Sequence, residues 1–115
     1  MSTKPGPGLK LKVESAGNSC SVWMSGELDL ASAGVLDTAI AEQCADGAKR
    51  IVLEMRELAF MDSTGLRSVL VSAELCAVNE AELLIGGTSG QVERLFEVSG
   101  VGERLPRRAE DAGRT

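Results

Sequence analysis

The chain has 115 residues, 43% hydrophobic and 25% charged, the balance of one globular domain large enough for a single core. A net charge of −5, an aromatic content of 3% and no tyrosine leave little to attract a phosphate backbone or to stack bases, so nucleic acid is excluded as a partner. Histidine is absent, which removes Ser-His-Asp and Cys-His catalysis and the histidine-containing zinc sites.

In chain order, residues 1–8 are Pro/Gly-rich and predict a flexible N-terminal tail. Leu9, Leu11 and Val13 alternate with Lys10, Lys12 and Glu14, a half-exposed strand. A turn at "AGN" leads to Cys20, Val22 and Met24, alternating with Ser21, Trp23 and Ser25, the second arm of a hairpin. After Gly26 the period becomes helical: Val35, Leu36, Ala39, Ile40 and Cys44 share a face, with Ser32 as cap and Gly47 as stop. Arg50–Met55 is a short apolar run of the buried parallel type. A helix over 63–79 places Leu66, Val69, Leu70, Ala73 and Ala77 on its core face, and "AELLIG" is a further buried strand. Thr88 and Gln91 predict a capping box for a short helix bearing Val92, Leu95 and Phe96 and closed by Gly100. A short strand near 101–105 and a frayed polar tail from residue 107 to 115 complete the chain. The order predicts an α/β domain over residues 9–106, with a mixed, mostly parallel central sheet of four to five strands and three to four helices.

The three cysteines, Cys20, Cys44 and Cys76, lack CxxC spacing and read as reduced core thiols of a cytoplasmic protein. "MSTKPGPGLK" has no apolar targeting core, and no apolar run approaches the roughly 20 residues needed to cross a bilayer. No membrane association, cofactor or metal is expected.

In a parallel sheet, functional loops gather at the carboxyl ends of the strands, here residues 26–32, 60–65 and 86–90. "AFMDSTGLRS" holds more polar residues than a helix start requires: Asp62, Ser63 or Thr64 alone would cap it, and Gly65 permits close packing. "GGTSG" at 86–90 faintly suggests a phosphate cradle, but it lacks the lysine and spacing of a P-loop, and a turn with a capping box explains it.

Four blocks, "GELDLASAGVL", "IVLEM", "AFMDSTGL" and "VERLFEVSGV", resemble in order and spacing the anti-sigma factor antagonist family, whose fold is the STAS domain. The similarity runs from about Leu9 to Leu105. It implies a binding protein rather than an enzyme: the unphosphorylated form captures an anti-sigma factor that is itself a serine kinase, and a sigma factor is released. It also implies that the serine after the motif aspartate, Ser63, is phosphorylated to end that binding, and that a phosphatase resets it. The family's kinase-contacting acid falls on Asp29, and Asp62, Thr64 and Gly65 belong to the same contact. Two departures stand out: "SAGV" replaces the proline common at the start of the first helix, and "RLPRRAEDAGRT" is short for the closing strand and helix.

Helical spacing adds an expectation of its own. Val71, Leu75 and Val78 lie opposite the core stripe of the 63–79 helix, so they are either covered by a neighbouring helix or form an apolar docking strip, with Val71 and Leu75 as partner-binding residues. The alternative function is a STAS-fold small-ligand sensor or scaffold not regulated by phosphorylation. A hydrolase built on Ser63 ranks last, because no base accompanies it.

Overall fold

Alternation of apolar and polar residues builds the centre of the sheet. The computed structural model describes residues 2–6 and 8–109, with side chains from residue 8 onward. Strands β1 (Ser2–Gly6), β2 (Leu9–Ala16) and β3 (Ser19–Leu28) pair antiparallel in sequence order. Leu9, Leu11 and Val13 of β2 and Cys20, Val22 and Met24 of β3 are buried, while Lys10, Lys12 and Glu14 are exposed, as the period of two requires. The strand at Ser2–Gly6 replaces the tail expected over residues 1–8. Backbone pairing needs no apolar pattern, and Pro5 is tolerated on an edge strand, where an amide can be dispensed with.

Helix α1 (Ala33–Ala45) buries Leu36, Ala39 and Ile40 and is followed by Gly47 at φ 90. Strand β4 (Arg50–Met61) runs parallel to β3 and outlasts its predicted end at Met55. Register shifts between Trp23 and Ser25 and between Gly26 and Glu27 let the less apolar "RELAFM" stay paired. Helix α2 (Ser63–Val78), strand β5 (Glu82–Thr88), parallel to β4, and helix α3 (Gly90–Ser99), ended by left-handed Gly100, complete the α/β unit. The sheet order is β1-β2-β3-β4-β5, antiparallel in its first half and parallel in its second. Among the described residues no helix is long and apolar enough to cross a membrane.

One face of the sheet carries the main core: the inward residues of β2 and β3, Ile51, Leu53 and Met55 of β4, and Leu83 and Ile85 of β5, covered by residues such as Leu36, Ile40, Val69, Cys76, Val92 and Phe96 of the helices. Cys76 takes the core position predicted for Ala77, which is exposed, because the stripe advances by 3.6 rather than 4 residues per turn. On the opposite face Val52, Glu54 and Leu84 are also buried, outside that cluster.

The strand predicted near 101–105 is a 3-10 turn, Gly102–Arg104. Extended pairing comes later: Ile85 N–H donates to Pro106 O at 2.8 Å, and Arg108 N–H donates to Ile85 O at 2.9 Å. The tail expected from residue 107 is therefore anchored at 107 and 108, where Arg107 meets Glu93 and Arg108 meets Glu54. The rest of that predicted tail, residues 110–115, lies outside the described residues.

Candidate functional site

At the carboxyl end of β4 the backbone turns from extended to helical at one residue. Asp62 (φ −107, ψ −174) is the N-cap of α2; its Oδ1 accepts the Gly65 N–H at 2.9 Å and its carbonyl accepts the Leu66 N–H at 2.9 Å. Capping is thus met by Asp62. Ser63 occupies the first helical position and is exposed, with Thr64 half-buried behind it. The amides of Ser63 and Thr64 belong to the turn that lacks intrahelical acceptors, at the positive end of the helix dipole. Gly65 is buried for a steric reason: a Cβ there would lie 2.2 Å from the Leu28 carbonyl oxygen. The first turn of α2 is therefore pressed against the end of β3, where Asp62 N–H also donates to Leu28 O at 3.3 Å.

Two loops flank this junction. After β3, the Asp29 carbonyl accepts the Ser32 and Ala33 amides, and Asp29 Oδ1 accepts the Ala31 N–H at 3.1 Å. Ser32 is fully buried and makes no side-chain cap bond, contrary to its predicted role. Its Oγ donates to Glu27 O at 2.8 Å and accepts from Asp29 N–H at 3.0 Å, tying the loop into a tight turn that holds Asp29 half-buried. On the other side, Gln91 of α3 grips the last residue of β4: its Oε1 accepts Met61 N–H at 2.8 Å and its Nε2 donates to Met61 O at 2.9 Å. The predicted Thr88/Gln91 capping box does not form, because Gln91 is taken by this clamp. Thr88 Oγ1 donates instead to Glu93 Oε1 at 2.8 Å. The Arg107 guanidinium bonded to Glu93, with Thr88 adding a second bond, holds that carboxyl below its ordinary range.

The glycine-rich stretch before α3 is shaped by packing. A Cβ on Gly86 would meet Glu54 Oε1 at 2.5 Å, one on Gly87 would strike the Arg56 side chain, and Gly87 N–H donates to Glu54 Oε1 at 3.0 Å. Two exposed apolar residues lie close to the junction in the chain: Leu30, 79% exposed, follows Asp29, and Phe60, 41% exposed, precedes Ser63 by three residues. Along α2, Val71 and Val78 are exposed, whereas Leu75 is half-buried against the core, so the strip is broken at its middle residue.

A sequence profile of the STAS domain matches residues 10–111. The chain belongs to the STAS domain family. This STAS domain is 32% identical over 80 residues to an anti-sigma-B factor antagonist of Staphylococcus aureus (strain NCTC 8325 / PS 47), a match covering 70% of this chain and 74% of the relative. Its fold is shared with an anti-sigma factor antagonist from Mycobacterium paratuberculosis, at TM-score 0.78 and 24% identity over 90% of each chain. It is also shared with the Bacillus cell fate determinant SpoIIAA in its phosphorylated form, at TM-score 0.66 and 22% identity over 89% of this chain and 94% of that one.

In the STAS domain two of the predicted loops meet directly, Leu28 against Asp62 and Gly65, and the start of α3, just past the third, joins them through the bonds of Gln91 to Met61. Ser63 follows the middle of the three strands, β4, and so lies between the loop after β3 and the loop after β5. Sequence reasoning missed Gln91 as the clamp on Met61, since the same residue fits a capping box. It also missed Ser68, buried on α2, whose Oγ donates to Asp37 Oδ1 of α1 at 2.6 Å. The sequence signal for that contact was a serine on the core stripe, where an aliphatic residue would otherwise stand. Among the described residues no group of three or more His, Cys, Asp or Glu is placed to hold a metal ion.

Proposed function

We propose that this STAS domain is an anti-sigma factor antagonist acting in the cytoplasm by binding, without catalysis of its own. In its unmodified form it captures an anti-sigma factor serine kinase and so frees a sigma factor; phosphorylation of Ser63 ends the binding, and a phosphatase restores it. The observation that carries the reading is the division of labour at the α2 start, where Asp62 caps the helix and leaves the Ser63 hydroxyl exposed. The names of its relatives, antagonists of anti-sigma factors, and the existence of SpoIIAA in a phosphorylated form support it.

The physical chemistry is direct. A phosphate on Ser63 adds about −1.5 to −2 charges at neutral pH beside Asp62. In the free protein, first-turn amides and the helix dipole offset part of that charge. Against a partner shaped for a neutral hydroxyl, a bulky dianion costs several kcal/mol, an affinity loss of about 100-fold or more. Asp29, Asp62 and Thr64 supply the polar contact around Ser63, Gly65 lets the helix start approach β3, and Val71 and Leu75 lie further along the same helix. The test is a binding titration of wild type, Ser63→Ala and Ser63→Asp against the cognate kinase, with intact-mass measurement after ATP is added. Alanine retaining the kinase, aspartate releasing it and a single phosphate mapped to Ser63 support the proposal; phosphate on another residue, or equal binding by all three, overturns it.

A further inference from the structure

Two cross-strand rows stay open on the face of the sheet turned away from the main core. In one, Lys12 of β2 pairs with Trp23 of β3, which pairs with Glu54 of β4; in the next, Lys10 pairs with Ser25, which pairs with Glu57. Residues paired across neighbouring strands share a face, so each row sets a lysine on one side of β3 and a glutamate on the other. The rows line a cavity of about 270 Å³. A second, of about 350 Å³, adjoins it through Lys10 and Ser25 and runs on over Gly26 to Gly8. Trp23, 39% exposed, is the large apolar surface of this hollow, and the small Ser25 beside it leaves the depth. Its charges differ in what they already hold. Glu54 is bonded to Arg108 and to the Gly87 N–H, whereas none of the ion pairs among the described residues involves Lys10, Lys12 or Glu57. With neighbouring strands about 4.8 Å apart, the Lys10 and Glu57 backbones stand about 10 Å from each other, an unmet positive and an unmet negative charge on either side of an aromatic surface.

We propose that this hollow binds a small zwitterion of the aromatic amino-acid class, at a site independent of Ser63 and its phosphorylation. The ring lies against the Trp23 indole in an offset or edge-on arrangement. The carboxylate takes the Lys10 and Lys12 ammoniums, and the ammonium takes the Glu57 carboxylate. Lysine stems are long enough to close on a head group over Ser25, while Glu54, held by Arg108, stays out of the contact. Shape and charge both select this class. An apolar surface with a few converging polar groups is the usual make-up of a small-molecule site, and a volume near 270 Å³ suits one ring with a short polar head rather than a nucleotide. A ligand of single charge would satisfy one wall and meet the like charge of the other. A phosphate ester would bring about two negative charges toward Glu57.

Trp23 is the chain's single tryptophan and tyrosine is absent, so indole emission reports this site alone. The experiment titrates the full chain with L-phenylalanine and follows that emission. A saturable change is expected, with a dissociation constant on the order of 1 mM for so open a site. Phenylacetate, which lacks the ammonium, and phenethylamine, which lacks the carboxylate, should each bind about tenfold more weakly. Lys10→Ala and Glu57→Gln should each weaken L-phenylalanine by about the same factor, and Glu57→Gln should not weaken phenylacetate. Both side chains are exposed, so these variants keep the fold, which circular dichroism checks. Trp23→Leu, followed by equilibrium dialysis against labelled L-phenylalanine, should lose the binding. No saturable change with L-phenylalanine, or equal affinity for the three probes, would overturn the assignment. So would emission that shifts with protein concentration before any probe is added, since a second copy would then occupy the face.

Discussion

Gly65 and Cys76 show how single positions set the limits of α2. A methyl group at 65 has nowhere to go, because the atom it meets is a backbone carbonyl fixed by the pairing of β3 with β4 rather than the end of a flexible side chain. Gly65→Ala should therefore destabilise the domain by about 1–3 kcal/mol despite alanine's better helix propensity, measured as a lower urea midpoint at unchanged slope. A neutral or stabilising result would mean that the α2 start can slide away from Leu28. Cys76 makes its limit visible through pH. Its thiol is held neutral in the folded protein, raised from 9.0 to about 12 by burial and by Cys44. In the unfolded chain the thiol ionises near the lower value, so the folded state keeps its full advantage below about pH 9 and loses it progressively as pH rises toward 12. Under reducing conditions the urea midpoint of wild type should fall over that interval. Cys76→Ala should start lower, through lost packing, and fall less steeply; parallel slopes would remove Cys76 as the cause.

At the scale of elements, the site is a joint between the ends of β3 and β4 and the starts of α2 and α3, and its least replaceable part is a side chain acting as backbone. Gln91 presents an amide to Met61 and bonds both its N–H and its C=O, as a neighbouring strand would. Gln91→Ala leaves both groups at a partly buried strand end and should cost about 1–3 kcal/mol. Because Met61 adjoins Asp62, it should also slow phosphorylation of Ser63 by the cognate kinase, whereas Gln91→Glu, which keeps the acceptor and loses the donor, should fall between. An unchanged phosphorylation rate in Gln91→Ala would show that α3 does not position the junction. The contrast between Gln91 and Asp62 also explains what sequence can and cannot reveal. The α/β order, the Ser63 junction and three converging loops were legible because each rests on short-range rules: alternation, helical period, capping. The Gln91 clamp and the Ser68–Asp37 contact join residues about 30 apart, and their identities fit a local role equally well. The edge strand at Ser2–Gly6 was hidden for a related reason, since its pairing uses main chain alone.

For the whole molecule, the decisive asymmetry is between the two faces of the sheet. The helical face buries an apolar cluster that needs no partner, while the other face buries Glu54, at 2% exposure, against Arg108, Arg56 and the Gly87 amide. Arg108 comes from the far end of the described chain: its backbone bond to Ile85 extends the sheet beyond β5, while its side chain reaches Glu54 and lines the same shallow cavity as Val52. A buried pair of this kind adds little net stability, because desolvation offsets attraction, yet removing one partner leaves a charge out of water. Arg108→Ala is accordingly expected to cost about 3 kcal/mol or more. Glu54→Gln should cost less, since the amide oxygen still accepts from Gly87 and Arg108, and the guanidinium left without its carboxylate is the more exposed partner, at 16% against 2%. The double variant should be more stable than Arg108→Ala alone, the sign that identifies a stranded carboxylate rather than lost packing. Urea titrations of the three variants give the coupling energy directly. Additive losses would mean that Arg108 acts only through its packing beside Val52. Kinase binding should be unaffected at protein concentrations where each variant is folded, because the Ser63 junction shares no hydrogen bond with this cluster among the described residues.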